Sequence, residues 1–324
     1  MHTIFERLMI MAHFTIGVLG QQDNDFLKRL GNKGTINDIE FRNFSTERDL
    51  FTYCSPKSDK VAPLMQIMGI IDFPVLVFDK PNSYLGEAVL AVDARKFENG
   101  IICVSEEFGE ERARKLIEGS NLESYDLLPM DADSLKDHLA SKEFQATIAA
   151  PAGPTKIPID NYFVVKSVGT VILGVVKRGE IGVYTKLSIY PDDIDVLVKS
   201  IQCHDKDVRN ATTLQRVGLS LKGVKVEDLK RGNVIAQKGS MMVSKSMRVG
   251  LERNKVLKGA ISEGDSFFVS IGLQSPVGRI VSIDGDVLTI DLEREVAYDA
   301  SDRAILALTT PKPPRIIGGG NIII

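Results

Sequence analysis

The chain has 324 residues, of which 44% are hydrophobic, and its formal net charge is −3 at neutral pH. This size and composition predict a soluble globular protein of two or three domains and argue against a disordered chain. No run of apolar residues is long enough to span a bilayer, and residues 1–11 lack the long apolar core of a signal peptide. We therefore predict a cytoplasmic protein with no membrane partner.

The cysteines and histidines form no metal-binding or disulfide pattern. Cys54, Cys103 and Cys203 are odd in number and far apart, without a CxxC spacing, so we expect free, buried thiols. The histidines at positions 13, 138 and 204 are equally scattered, and we expect no metal site.

Residues 13–150 alternate between apolar runs and amphipathic segments. Regular alternation of this kind indicates the α/β class, with a mainly parallel sheet covered by helices on both faces. Strands are predicted at 13–19, 73–78, 101–104 and 125–128. Helices are predicted after the caps Asn24 and Asp59, from Glu107 to Ile117 with Leu116 facing inward, and around Leu135 and Leu139.

The composition changes near residue 149. The small residues Ala149-Ala150-Pro151-Ala152-Gly153-Pro154 read as a linker, and β-branched runs separated by Gly and Asp follow it. These runs predict β-hairpins that build two antiparallel β-barrels. The expected domains are 1–150, 151–240 and 241–324.

One string of residues carries a family resemblance. Pro158-Ile159-Asp160-Asn161-Tyr162-Phe163 leads into Val168-Gly169-Thr170-Val171-Ile172-Leu173-Gly174, Arg178-Gly179-Glu180-Ile181, Arg216-Val217-Gly218 and Lys230-Arg231-Gly232. This string resembles the second domain of the translational GTPases related to elongation factor Tu. Pro314-Arg315-Ile316-Ile317-Gly318-Gly319-Gly320 resembles the last strand of the archaeal selenocysteine-specific elongation factor and of the initiation factor 2 gamma subunit.

The resemblance implies a GTPase-like first domain, but the phosphate-binding loop of that domain is changed. Such a loop needs GxxxxGK[ST], because its backbone N–H groups and lysine hold phosphates and its hydroxyl holds magnesium. Here the first strand continues as Gly17-Val18-Leu19-Gly20-Gln21-Gln22-Asp23-Asn24-Asp25. The lysine and hydroxyl positions hold no such residues, and Asp23 and Asp25 would repel phosphate.

Two further nucleotide motifs are replaced. Tyr53-Cys54-Ser55-Pro56-Lys57 stands where the family has Asp-x-x-Gly, so Tyr53 replaces a magnesium-binding aspartate and Pro56 has no N–H for a γ-phosphate. Ser105-Glu106-Glu107-Phe108 replaces the guanine-reading Asn-Lys-x-Asp. Gly17, Gly20, Tyr53 and Pro56 thus mark a degenerate nucleotide site. We expect no GTP hydrolysis and neither GTP nor magnesium as a cofactor.

The resemblance also implies a pocket for the aminoacyl end of tRNA in the second domain. Asp160, Phe163 and Arg216 match its acidic, aromatic and Val-Gly-strand positions, whereas Asn161 replaces an arginine of the selenocysteine-specific factor. Asp160 could accept a hydrogen bond from an α-amino group, and Arg216 could bind a ligand anion. The alternative is a salt bridge between them inside the barrel. For Phe163 we expect a place in the barrel core rather than in the pocket.

Positive charge is concentrated in residues 231–260, whereas 105–143 is rich in Glu and Asp. The basic stretch could follow an RNA backbone, and the alternative is an ordinary solvated face. The candidate RNA-binding residues are Lys245, Arg248, Arg253, Lys255 and Lys258.

Together these patterns predict a binding protein rather than an enzyme. The favoured function is that of an elongation-factor-Tu-like translation factor paralogue that binds tRNA, the ribosome or another part of the translation machinery without hydrolysing GTP. The alternatives are an atypical GTP-binding elongation factor and a regulatory subunit that pairs with another translation factor. DNA is not an expected partner.

Overall fold

The computed structural model describes residues 12–21, 25–148, 150–257, 259–310 and 312–324. The strands of its first part are β1 Ala12–Leu19, β2 Asn32–Ile36, β3 Ile39–Ser45, β4 Asp49–Pro56, β5 Phe73–Phe78, β6 Ile101–Val104 and β7 Asp126–Pro129. They form one sheet in the order β2-β3-β4-β1-β5-β6-β7. The five strands from β4 to β7 in that order run parallel, and β2 and β3 add an antiparallel edge. The predicted parallel sheet is confirmed.

Helices cover both faces of this sheet. They are α1 Asp25–Leu30, α2 Val61–Ile67, α3 Ser83–Arg95, α4 Glu110–Ile117, α5 Ala132–Leu139 and α6 Lys142–Gln145, with a 3₁₀ turn at Asn121–Ser124. One apolar cluster packs α2, α3 and α4 on one face, and another packs α1, α5 and α6 on the other. In the described part of the chain, no helix is long and apolar enough to cross a membrane.

Two details of the predicted helices are wrong. The cap of α2 is Lys60 rather than Asp59, and the backbone carbonyl of Asp59 instead accepts a hydrogen bond from Arg315 (2.5 Å). Leu116 is 42% exposed because α4 turns Ala113 and Ile117 inward, and Leu116 lies off that face. Asn24, the predicted cap of α1, lies outside the described residues.

The second part is a closed antiparallel barrel. Its strands are β8 Lys156–Val165, β9 Gly169–Val175, β10 Glu180–Gly182, β11 Lys186–Tyr190, β12 Ile194–Cys203, β13 Lys206–Val208, β14 Asn210–Thr212, β15 Arg216–Lys222 and β16 Val234–Ala236. The ring runs β11-β16-β8-β9-β15-β12 and is closed by the pairing of β11 with β12. β13 pairs antiparallel with the end of β12, and β10 pairs with β14 as a separate two-stranded sheet. A 3₁₀ turn at Val226–Asp228 precedes β16.

The third part is a second closed barrel. Its strands are β17 Met242–Arg253, β18 Ser266–Ser270, β19 Val277–Asp284, β20 Val287–Tyr298, β21 Arg303–Leu308 and β22 Ile316–Ile323. They close in the order β17-β20-β19-β18-β21-β22, with β22 paired to β17. The prediction of an α/β part followed by two antiparallel barrels is confirmed.

Buried and partly buried ion pairs join the three parts. Arg315, one residue before β22, donates its Nε to a carboxylate oxygen of Glu87 in α3 at 2.9 Å, and both residues are buried. Lys177, after β9, is 2.6 Å from Asp72, just before β5. Lys156, at the start of β8, is 2.6 Å from Asp302, just before β21. Each pair of domains is therefore bridged by at least one ion pair.

Candidate functional site

The glycines at the end of β1 allow neighbouring side chains to pack closely against the backbone. Gly17 pairs with Cys54 across β1 and β4, and a Cβ added at Gly17 would lie 2.8 Å from the Ile71 side chain. Gly20 has a φ of +93°, which favours glycine, and a Cβ there would lie 2.6 Å from the Leu85 side chain of α3. Residues 22–24, which include Asp23, lie outside the described residues.

Tyr53 and Pro56 are both part of β4. Tyr53 is fully buried in the apolar cluster beneath α1 and α5, and burial raises the pKa of its phenol. The Tyr53 hydroxyl has no hydrogen-bond partner among the described residues. Pro56 pairs with Ile39 of the edge strand β3. The segment that replaces Asp-x-x-Gly is therefore a continuous, buried strand.

The segment that replaces the guanine-reading motif forms a capped turn. The Ser105 hydroxyl donates to the carbonyl of Asp79 at 2.9 Å and accepts from the N–H of Phe108 at 3.1 Å. Phe108 is 4% exposed, and its ring lies 5.2 Å from that of Phe78. An apolar side chain therefore lies in the core where the motif would end in an aspartate.

Asp160 and Arg216 meet at the boundary between the first two parts. Arg216 donates from both terminal nitrogens to both Asp160 oxygens, one of them at 2.8 Å. The Asp160 side chain is 1% exposed and that of Arg216 is 16% exposed. Burial lowers the pKa of Arg216, but the Asp160 carboxylate more than offsets it and the pKa is raised. The two side chains therefore form a bidentate salt bridge at this boundary.

The first domain covers this pair. The Arg216 guanidinium lies 4.6 Å from the ring centre of Phe41 in β3, which is a cation–π distance. Beside it is a cavity of about 170 Å³ whose wall includes Phe41, Asn43 and Thr52 from the sheet and Gln202, His204 and Arg216 from the barrel. Arg216 thus faces a cavity between two domains as well as its carboxylate partner.

Phe163 does not belong to the barrel core. It is 39% exposed, so the expectation that it packs inside is wrong. The cause is a β-bulge in β8 between Ile159 and Asn161, where the pairing with β9 shifts by one residue. Such a bulge changes the face to which later side chains point. Phe163 is also absent from the wall of the cavity beside Arg216.

The basic candidates that the structure describes are all exposed. These are Lys245, Arg248, Arg253 and Lys255, whereas Lys258 lies outside the described residues. Arg253 donates to the carbonyls of Leu257 and Gly259, so part of its guanidinium holds the loop after β17.

Acidic residues flank this basic surface. Ser246 of β17 lies opposite Asp291 of β20, and β20 continues with Glu293 and Glu295, which are also exposed. The outer face of the barrel therefore carries both charges, with Arg248 and Arg279 among its exposed arginines.

Comparison with known proteins places the chain in a family. It is 31% identical over 314 residues to an uncharacterized protein of Methanocaldococcus jannaschii. The alignment covers 96% of this chain and 100% of that protein. It is 25% identical over 346 residues to the selenocysteine-specific elongation factor of the same organism, covering 91% of this chain and 72% of the other. This chain belongs to the elongation factor Tu family of translational GTPases.

Within that family, the fold matches that of a selenocysteine-specific factor. The translation elongation factor SelB from Methanococcus maripaludis, in complex with the GTP analogue GppNHp, superposes with a TM-score of 0.84 at 21% identity. The match covers 97% of this chain and 79% of that one. No protein-family model matches the chain.

The ion pairs that join the domains were not predicted from the sequence. Lys177 contacts Asp72 and the carbonyls of Ile70 and Ile71, across more than a hundred residues of chain. Arg315 contacts Glu87 across 228 residues. The sequence signal for these pairs was that Asp72 and Glu87 lie within apolar segments. A carboxylate buried there requires a cation from elsewhere in the chain. The three cysteines are free and buried, as predicted.

Proposed function

We propose that this protein is a translation factor paralogue that binds tRNA or the ribosome without binding or hydrolysing GTP. The observation that carries the proposal is the burial of Tyr53 and Pro56 in β4. In a GTPase, the residues at these positions reach magnesium and the γ-phosphate. A buried phenol cannot ligate magnesium without leaving the core, and proline has no N–H to donate. The residues present therefore do not fit a magnesium-bound guanine nucleotide.

The other two motif positions support the same proposal. Leu85 packs over Gly20, and Phe108 fills the core near Phe78. Both contacts bring apolar groups to segments that would hold phosphates or guanine in an active relative. The resulting domain supports the two barrels through Asp72 and Glu87 rather than through a nucleotide.

The family relationship supports a partner in translation. One relative named above is a selenocysteine-specific elongation factor, and the barrel next to the sheet carries Asp160 and Arg216 beside a cavity. Exposed Arg248 adds a positive group that could meet an RNA phosphate. We propose tRNA as the first partner to test, with the aminoacyl end near Arg216.

The experiment compares binding with and without nucleotide. Fluorescently labelled tRNA, aminoacylated and free, is titrated with the protein alone, with GDP and with a GTP analogue, each with magnesium. We expect the same affinity in all three conditions, because no nucleotide contact changes. An affinity that rises with the GTP analogue would contradict the proposal, and an absence of binding to every tRNA and to ribosomes would favour a regulatory subunit.

A further inference from the structure

A cavity of about 290 Å³ lies where the three domains meet. Arg95 at the end of α3, Lys156 and Lys177 of the first barrel, and Asp302 before β21 all line it. A neighbouring cavity of about 220 Å³ shares Arg95, Lys177 and Pro151 with it. With Arg178, four cationic side chains line the junction cavity, and Asp302 is the acidic residue among the described residues of its wall.

Three of these cations have carboxylate partners. Lys156 is 3.2 Å from Asp299 and 2.6 Å from Asp302. Arg178 is 2.8 Å from Asp299, and Lys177 is 2.6 Å from Asp72. The carboxylate of Asp299 has its pKa raised by burial but lowered more by its two cationic partners and by the Ser301 hydroxyl, so it stays charged. The positive charge of this side of the cavity is therefore largely neutralised.

Arg95 differs from the other three. Its Nε donates to the carbonyl of Met68 at 3.3 Å, and its guanidinium lies 5.5 Å from the Phe97 ring. Within the described ranges, no carboxylate accepts a hydrogen bond from Arg95, and its terminal nitrogens make no hydrogen bond. Arg95 is only partly buried, and its side chain lines both cavities.

The positive charge of Arg95 is partly removed from water, which costs free energy. Burial lowers the pKa of Arg95, Asp302 opposes that change, and the like charge of Arg303 adds to it. A guanidinium nevertheless stays protonated at neutral pH. Because Asp302 is hydrogen-bonded to Lys156 and not to Arg95, an anion supplied from outside would further stabilise the partly buried guanidinium of Arg95.

We propose that the three-domain junction is a binding site for a small phosphate-bearing molecule, with Arg95 as the residue that contacts the phosphate oxygens. Guanidinium groups suit phosphate because two N–H groups can bind two oxygens at once. Sites for drug-sized ligands occupy about 300–1,000 Å³, so a cavity of about 290 Å³ favours an anion of the size of pyrophosphate. The phosphate could be free or form one end of a larger molecule that extends through the neighbouring cavity.

This proposal goes beyond the proposed function and does not depend on it. The wall of the cavity comes from all three domains, so an anion bound there would hold them together without a nucleotide in the first domain. The measurement uses neither RNA nor GTP, and a failure of tRNA binding would leave it unaffected.

The test is calorimetric titration of the full chain with pyrophosphate and, separately, with ADP, at constant ionic strength. We expect saturable binding of at least one of them to the wild type. In Arg95→Gln the affinity should fall by about tenfold or more, since hydrogen bonds to charged groups are lost. Arg114→Gln is the matched control, because Arg114 is an exposed arginine of α4 that pairs with Glu110.

A second variant covers the case in which Arg95→Gln does not fold. Ala152 lines the cavity and is exposed, so Ala152→Phe should obstruct the site without changing any charge. Binding of ADP alone would identify the phosphate as part of a larger molecule and would support the site. No saturable binding to the wild type in the millimolar range would overturn the proposal. So would unchanged binding in Ala152→Phe, or an equal loss in Arg114→Gln.

Discussion

Replacing Asp160 by Asn measures how much the bidentate pair with Arg216 stabilises the protein. The substitution keeps the shape of the side chain but leaves the guanidinium buried against Phe41 without a counter-charge. Removing one partner of a buried ion pair costs about 3–5 kcal/mol. Unfolding entropy is about 2.1 cal/mol/K per residue, which gives about 0.68 kcal/mol/K for 324 residues that unfold together. We therefore expect the melting temperature to fall by about 4–7 °C.

The assay combines thermal melts with tRNA titrations on the same variant. Asp195→Asn is the control, because Asp195 pairs with Lys238 in the same barrel but both side chains are exposed, so little change is expected. A melting temperature equal to that of the control would refute the structural bridge. A large fall with unaltered discrimination between aminoacylated and free tRNA would refute the pocket. Reduced discrimination would mean that the pair also contacts the aminoacyl end.

Three further predictions concern the other sites. Calorimetry with GTP and magnesium should give at best millimolar affinity, and Asp23→Lys should not rescue it because Pro56 still lacks an N–H; low-micromolar binding would contradict this. Arg248→Glu should weaken tRNA binding and reduce the slope of log K against log salt concentration by roughly one unit, and Arg253→Glu should act similarly. Arg114→Glu, the control, should change neither quantity. Burial, with a smaller effect of His204, lowers the pKa of His13 from 6.5 to about 4. The free energy of unfolding should therefore fall by about 3 kcal/mol as the pH falls from 6.5 towards 4, because the unfolded chain binds a proton that buried His13 does not. In thermal melts from pH 7 to 4, His13→Leu should remove that part of the acid sensitivity.

The sequence predicted four of the five parallel strands, β1, β5, β6 and β7, because their apolar runs are strong local signals; β4, which is also buried, was missed. β5 is apolar throughout and is buried at every position. The edge strand β2 was missed, since Asn32–Ile36 is mostly polar and partly exposed. The helix α3 was also missed, because buried residues occupy much of its circumference and leave no single apolar face.

The candidate site was predictable as a set of residues but not as an arrangement. Asp160 and Arg216 were found from their positions in a family string, and the structure brings them together. The contact of Arg216 with Phe41 joins two domains, and no local sequence pattern predicts such a contact. Phe163 was misplaced because a bulge of one residue reverses the faces of a strand, and alternation alone cannot locate a bulge.

The buried pair between Glu87 and Arg315 affects how the chain folds during its synthesis. Glu87 emerges from the ribosome 228 residues before Arg315 does, which at about 5–20 residues per second is a delay of about 10–45 s. During that interval the Glu87 carboxylate of α3 has no cationic partner. The second barrel also cannot close, because β17 pairs with β22, which is synthesised last. A nascent chain that stops before Arg315 therefore leaves the buried carboxylate of Glu87 without its cation.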